Sequence, residues 1–151
     1  MAKLALAVEI AVPPDRVAVF FAPQRMPYWY GAEMKCCFEV QGGAAEFQAG
    51  QKVRITGRLG QKEFSLTAVV TAHQWGGLLE WRFQDAYGVR GMQRWELEPL
   101  GSAAATRVRM RDEYEFPGLL GRITDWLLTR HAVARRDRAD LSRLKRFAEN
   151  H

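Results

Sequence analysis

Six strand-like runs separated by glycine-containing turns occupy the middle of the chain, and this succession restricts the possible folds more than any other feature. The runs cover residues 33–40, 51–59, 63–74, 78–84, 89–98 and 106–116. Glycines, which hairpin turns favour, lie between them at Gly42-Gly43, Gly60, Gly76-Gly77, Gly88 and Gly101. No convincing amphipathic helix interrupts these runs. The pattern therefore predicts a meandering antiparallel sheet.

The N-terminal segment predicts one more strand, followed by a short helix. Residues 3–12 alternate loosely and end at a Pro-Pro pair, and the first turn of a helix tolerates proline. Val17, Phe20 and Phe21 then share one helical face. The aromatic-rich sequence RMPYWYG that follows predicts a turn or a second short helix. The sheet would then have seven strands.

Helical spacing replaces the strand pattern after Gly118 and continues to about Glu149. The residues on the apolar side of this predicted helix are Leu119, Leu120, Ile123, Trp126, Leu127, Val133, Ala134, Leu141, Leu144 and Ala148. The arginines placed off this side are Arg122, Arg135, Arg136, Arg143 and Arg146. Because only the sheet offers enough apolar surface to cover the helix, we predict an α+β fold in which a curved antiparallel sheet grips a long C-terminal helix.

The order of these elements resembles the START-related SRPBCC superfamily, which has the helix-grip fold. The similarity includes the local sequences VEIAVPPDRVAVFFA, PYWY and YEFPGLLGRITDWLLTRHAVARRDRADLSRLKRFAE. It covers nearly the whole chain, so we expect one domain over residues 1–151, closest to the polyketide cyclase/dehydrase-like and lipid-transport-like members. The resemblance implies two short helices between the first two strands. It also implies a deep, mostly apolar cavity between sheet and C-terminal helix that binds a lipid, polyketide or other hydrophobic small molecule.

Alternation along three strands predicts which side chains face the helix or the cavity. The predicted inward rows are Leu79, Trp81 and Phe83, then Val89, Gly91, Gln93, Trp95 and Leu97, then Val108, Met110, Asp112, Tyr114 and Phe116. The opposite side chains are charged or polar, except for Met92. An inward aromatic side chain can line a cavity or simply pack in the core, and alternation does not distinguish these cases.

Four polar residues interrupt the apolar faces: Gln93 and Asp112 on the strands, and Arg130 and Asp137 on the helix. A charge in such a place needs a partner, a ligand or water. We expect Arg130 to point into the interior, close to Asp112 and Gln93, where it forms a structural ion pair, extends to the rim or anchors a ligand. The residues predicted to line the cavity are Trp29, Trp81, Phe83, Gln93, Trp95, Met110, Asp112, Tyr114, Trp126 and Arg130.

Motifs of known catalytic chemistry are absent from the sequence. It has no glycine-rich phosphate loop, no G-x-S-x-G elbow and no metal-binding H-E-x-x-H or C-x-x-C. The adjacent Cys36 and Cys37 are expected to be free thiols, and we predict neither a metal nor a cofactor. Two functions remain: a carrier or sensor of a hydrophobic molecule, and a cyclase or dehydratase that uses polar cavity residues. Binding is favoured because only Asp112 and Asp137 are plausible acid–base groups.

The net charge of +5 leaves a second kind of partner open. The C-terminal segment is rich in arginine, so its exposed face could dock on RNA, the ribosome or an anionic membrane, although a solvated helix face explains the same charges. Any such binding is expected to be weak and sensitive to salt, and no DNA partner is predicted. No signal peptide or membrane anchor is evident, so a cytoplasmic location is expected. The oligomeric state is left open.

Overall fold

Antiparallel strands form a sheet in the order β1-β7-β6-β5-β4-β3-β2. The computed structural model describes residues 2–85, 88–116, 118 and 130–150. Within them the strands are β1 (Ala2–Ile10), β2 (Cys37–Val40), β3 (Lys52–Leu59), β4 (Lys62–Gln74), β5 (Leu78–Asp85), β6 (Arg90–Leu100) and β7 (Ala105–Glu115). The connections from β2 to β7 follow a simple meander, and β1 pairs with β7. The predicted seven-stranded α+β helix-grip fold is confirmed.

The described helices are α1 (Pro14–Ala18) and α2 (Arg130–Asn150). After α1 come short 3₁₀ segments at Val19–Phe21, Met26–Tyr28 and Ala32–Met34, and a fourth occurs at Gln41–Gly43. The C-terminal part of the predicted long helix is therefore present as α2. The apolar positions Leu119, Leu120, Ile123, Trp126 and Leu127 lie outside the described residues.

The predicted strand over residues 33–40 is wrong in its first half. Residues Ala32–Met34 form a 3₁₀ turn, and β2 begins only at Cys37. Gly31 and Lys35 flank this turn with positive φ angles of 58° and 51°. A residue in the left-handed region cannot continue a strand, so the chain reverses locally before it enters the sheet.

The predicted orientation of the strands is confirmed by burial. Trp81, Trp95 and Met110 are all buried, and the cross-strand register pairs Trp95 with Met110. The rings form an edge-to-face cluster under α1 and the following turns, with members Phe21, Trp29, Tyr30, Phe38, Phe47, Trp81 and Trp95. This cluster fills one end of the space between the sheet and the elements that cover it.

Helix α2 is held to the rest of the domain by apolar packing and by polar contacts near its end. Leu141, Leu144 and Ala148 are buried in the core. The Lys145 amine donates to the carbonyl oxygen of Glu9 at 2.7 Å, and Glu149 accepts from a backbone N–H after β1 at 2.8 Å. In the described part of the chain, no helix is long and apolar enough to span a membrane.

Candidate ligand-binding site

A cavity of about 860 Å³ lies between strands β3, β4, β5 and β7 and the first described turns of α2. Its apolar lining residues are Met34, Phe64, Leu66, Phe83, Val89, Tyr114, Phe116 and Val133. Its charged lining residues are Lys35, Arg54, Arg58, Glu63, Asp85, Asp112 and Arg136. The volume falls in the range typical of small-molecule sites, about 300–1,000 Å³.

The cavity opens to solvent where its charged lining residues are exposed. Lys35, Arg54, Arg58 and Glu63 are exposed, and Arg58 pairs with Glu63 at 3.1 Å. Arg54 donates to the Ser65 hydroxyl at 3.4 Å. Cations outnumber anions among these four residues, so the opening is electropositive.

Gly91 determines where two aromatic walls of the cavity can lie. It pairs with Phe83 on one side and with Tyr114 on the other. A Cβ at this position would be 2.1 Å from the backbone oxygen of Glu113 and 2.8 Å from the Phe83 ring. The missing side chain therefore allows the Phe83 ring and the backbone of β7 to lie close to β6.

A buried hydrogen-bond network connects the aromatic cluster with the cavity. The Oε1 atom of Gln93 accepts from the Tyr30 hydroxyl at 2.7 Å and from the Trp81 indole N–H at 2.9 Å. The amide nitrogen of Gln93 donates to Oδ2 of Asp112 at 3.5 Å. Burial raises the pKa of Tyr30 well above its ordinary value, so its hydroxyl remains a donor. The predicted proximity of Gln93 and Asp112 is confirmed.

Among the described side chains, the arginine that reaches Asp112 is Arg136. Its Nη2 atom lies 3.7 Å from Oδ2 of Asp112 and 3.5 Å from Oδ1 of Asp137. This corrects the placement of Arg136 off the inward side of the helix: a long side chain can start at the edge of an apolar face and place its charge beside buried carboxylates. The side chain of Arg130, which we expected to fill this role, lies outside the described residues.

Arg143 was also placed off the inward side, and it too is largely buried. Its Nε atom donates to the carbonyl oxygen of Trp29 at 3.2 Å, Nη1 donates to Glu33 at 3.3 Å, and Nη2 donates to Asp140. Asp140 also accepts from the Gly31 backbone N–H at 3.2 Å. These contacts join α2 to the turn before β2, which forms one side of the cavity.

Asp112 and Asp137 form a buried carboxyl pair. Their exposed fractions are 2% and 1%. Burial, and then the neighbouring carboxyl of Asp112, raise the pKa of Asp137 to about 9. Within the described residues, Oδ1 of Asp112 and Oδ2 of Asp137 have no hydrogen-bond partner. Since two adjacent carboxylates cannot both ionise easily, the pair holds one proton near neutral pH.

The pair predicts a dependence of stability on pH. A carboxyl group with a raised folded-state pKa stabilises the fold at low pH, and this contribution is lost as the pH rises from the unfolded pKa, about 4, towards the folded pKa. Asp137→Asn keeps an acceptor for Arg136 and a donor for Asp112 but cannot ionise. We expect it to exceed the wild type in stability by at least about 1 kcal/mol at pH 9, and by less at pH 7.

Urea unfolding at pH 7, 8 and 9 measures this difference. The pH range starts at 7 because burial also raises the pKa of Asp140, to about 6. The other groups beside the carboxyl pair are Tyr30, Gln93 and Arg136. The exposed Asp15 supplies the control, since Asp15→Asn should leave the pH profile unchanged. A constant difference between Asp137→Asn and wild type from pH 7 to 9 would contradict the shared proton.

The residues predicted to line the cavity divide into three groups. Phe83, Asp112 and Tyr114 do line it. Trp29, Trp81, Gln93, Trp95 and Met110 are buried deeper, and they are not among the described lining residues. In the described part of the chain these side chains lie in the core, where the indole rings pack edge-to-face on one another. Trp126 and the Arg130 side chain lie outside the described residues.

Sequence reasoning missed lining residues on β4. Phe64 and Leu66 alternate with polar residues in a run that was already assigned as a strand, so the same periodicity could have identified them. The role of Arg136 had a weaker signal, its position next to Asp137. Within the described residues, no group of three His, Cys, Asp or Glu side chains is arranged to hold a metal ion.

The fold defines a helix-grip protein with a cavity between its sheet and C-terminal helix, and the sequence comparison names its family. The family model described as polyketide cyclase / dehydrase and lipid transport matches residues 1–149. The chain therefore belongs to this family, within the SRPBCC-like superfamily. No match is found among curated proteins.

Solved structures with the same fold have low sequence identity to the chain. A protein from Arthrobacter aurescens has a TM-score of 0.76 and 16% identity, covering 99% of this chain and 87% of the other. A protein from Mesorhizobium loti has a TM-score of 0.74 and 14% identity, with coverages of 99% and 98%. DynU16, a protein in the dynemicin biosynthetic locus, has a TM-score of 0.64 and 20% identity, covering 97% of this chain and 47% of its own. At these identities the likeness shows the fold.

Proposed function

We propose that the protein binds one hydrophobic small molecule in the cavity between sheet and α2, as a carrier or sensor. The observation that carries this proposal is a cavity of about 860 Å³ with aromatic and aliphatic walls and one polar corner, at Asp112 and Arg136. Such a combination is typical of ligand sites, in which apolar area supplies affinity and a few polar groups orient the ligand. The family description, which includes lipid transport, supports the same class of ligand.

A cyclase or dehydratase is the second candidate. The carboxyl pair favours it, because a carboxyl group with a raised pKa can act as a general acid near neutral pH. Asp112, the member of the pair that lines the cavity, is only 2% exposed, and this limits its contact with a reacting atom. Binding without chemistry therefore fits the geometry better. Recovery of a bound β-hydroxyketone unchanged would support the carrier, whereas loss of water from it would support the enzyme.

A nucleic-acid or membrane partner receives less support from α2. Arg136 and Arg143 are directed to internal carboxylates rather than to solvent. Two of the positive charges that suggested a docking surface on this helix are thus paired with carboxylates inside the domain. The remaining exposed arginines suit a solvated helix face, and the expectation of weak, salt-sensitive binding remains for RNA or anionic lipid.

Filling the cavity from the helix side tests the proposal. The probe is diphenylhexatriene, a hydrocarbon whose fluorescence rises in an apolar environment and which lacks any polar group. Val133 lines the cavity, whereas its neighbour Ala132 is exposed and is not among the lining residues. We expect Val133→Trp to weaken binding of the probe at least tenfold, because an indole would occupy the space it needs.

Ala132→Trp is the matched control, since it adds the same side chain outside the cavity. It should bind the probe with wild-type affinity, and the melting temperatures of both variants would verify that the fold is intact. Equal affinity in all three proteins, or no saturable binding to the wild type, would overturn the proposal.

A further inference from the structure

The charges at the inner corner of the cavity are balanced before any ligand enters. With one proton held between Asp112 and Asp137, the pair carries one negative charge, which matches the single positive charge of Arg136. Arg143 is engaged separately, by Asp140 and Glu33. Among the described side chains, the charge of Arg136 is therefore balanced by the pair.

The guanidinium group of Arg136 has hydrogen-bond donors that the pair does not use. Its closest approach to both carboxyls is made by Nη2. Neither Nε nor Nη1 donates to any described residue, and the Arg136 side chain lines the cavity with 35% of its area exposed. An arginine carries five N–H donors, so those remaining are free for a ligand acceptor.

We propose that this corner binds an uncharged carbonyl oxygen of the hydrophobic ligand, with Arg136 as the donor and the buried Asp112 and Asp137 carboxyls beside it as its counter-charge. The proposal rests on the proposed function and deepens it by naming the polar group of the ligand. A ketone, quinone or ester oxygen would accept from Arg136 without adding charge. A carboxylate would bring a second negative charge next to a buried anion, with the cost of its own desolvation.

A matched pair of ligands tests the choice between a neutral and an anionic group. The probes are 2-dodecanone and dodecanoate at pH 7.5, which have equal carbon number and differ in charge. Each is used below its micellar concentration to displace diphenylhexatriene from the wild-type protein. We expect 2-dodecanone to bind at least tenfold more tightly than dodecanoate.

Removal of the counter-charge should reverse this preference. In the double variant Asp112→Asn, Asp137→Asn, the charge of Arg136 is no longer balanced, so dodecanoate should bind more tightly than 2-dodecanone. In the single variant Asp137→Asn, one negative charge remains, and the preference for the ketone should persist. Circular dichroism checks that both variants are folded. If the double variant does not fold, the relative affinities for the two probes in the wild type and in the single variant still test the carbonyl site.

The outcomes separate this inference from the proposed function. If diphenylhexatriene binds but dodecanoate displaces it as well as or better than 2-dodecanone does, the carbonyl site is overturned while the hydrophobic cavity stands. If diphenylhexatriene does not bind, both proposals are overturned. A preference for the ketone that reverses only in the double variant supports the carbonyl site.

Discussion

Replacing Trp81 with alanine is expected to lower the free energy of unfolding by about 4 kcal/mol. The ring is fully buried, and it packs edge-to-face on Trp95, Phe47 and Tyr30. Its indole N–H donates to Gln93, so the substitution also removes one partner of a buried amide. Loss of aromatic area, the cavity left behind and the broken hydrogen bond all act in the same direction.

Urea unfolding followed by circular dichroism measures this loss. Trp75 provides the matched control, because it is 46% exposed and its truncation should change stability by less than about 0.5 kcal/mol. A loss for Trp81→Ala no larger than that for Trp75→Ala would contradict the assigned register of β5.

Replacing Arg136 with methionine is expected to lower the free energy of unfolding by about 3 kcal/mol at pH 8. Methionine has a similar length and apolar stem, so the main change is the loss of the charge beside Asp112 and Asp137. The pair would then hold a buried negative charge with no counter-ion at 3.5–3.7 Å.

The control for this variant is Arg135→Met, the same substitution at the adjacent, exposed position. It should change stability by less than about 0.5 kcal/mol at the same pH. Equal effects of the two substitutions would show that Arg136 does not balance the pair.

The sheet was predictable because strand periodicity leaves little freedom. Side chains alternate strictly between two faces, so an apolar row such as Leu79, Trp81 and Phe83 can be inward only in one register. The same rule placed Gln93 and Asp112 on the inward face, and the register of β6 and β7 makes them cross-strand neighbours.

The division between core and cavity was not predictable from alternation. Trp95 and Tyr114 are both inward and aromatic, but only Tyr114 lines the cavity. What separates them is how the covering turns pack, with Trp29 and Tyr30 closing over one end of the sheet. That packing depends on three-dimensional contacts between segments far apart in the chain.

The partner of Asp112 was hard to predict for a different reason. Helical geometry gives the direction of a Cβ atom. The guanidinium of arginine lies several bonds further out, and nearby charges determine where it points. Two buried carboxyls therefore draw in Arg136 from the edge of the apolar face. The late start of β2, at Cys37 rather than at residue 33, was missed because a positive φ angle at Lys35 has no clear sequence signal.

Intermolecular nuclear Overhauser effects between bound diphenylhexatriene and assigned methyl groups test the central claim most directly. If the probe occupies the cavity, we expect cross-peaks from its aromatic protons to the methyls of Met34, Leu66 and Val133, which line the cavity on three different elements. Cross-peaks confined to surface methyls such as those of Val69, which is exposed on β4, would contradict it.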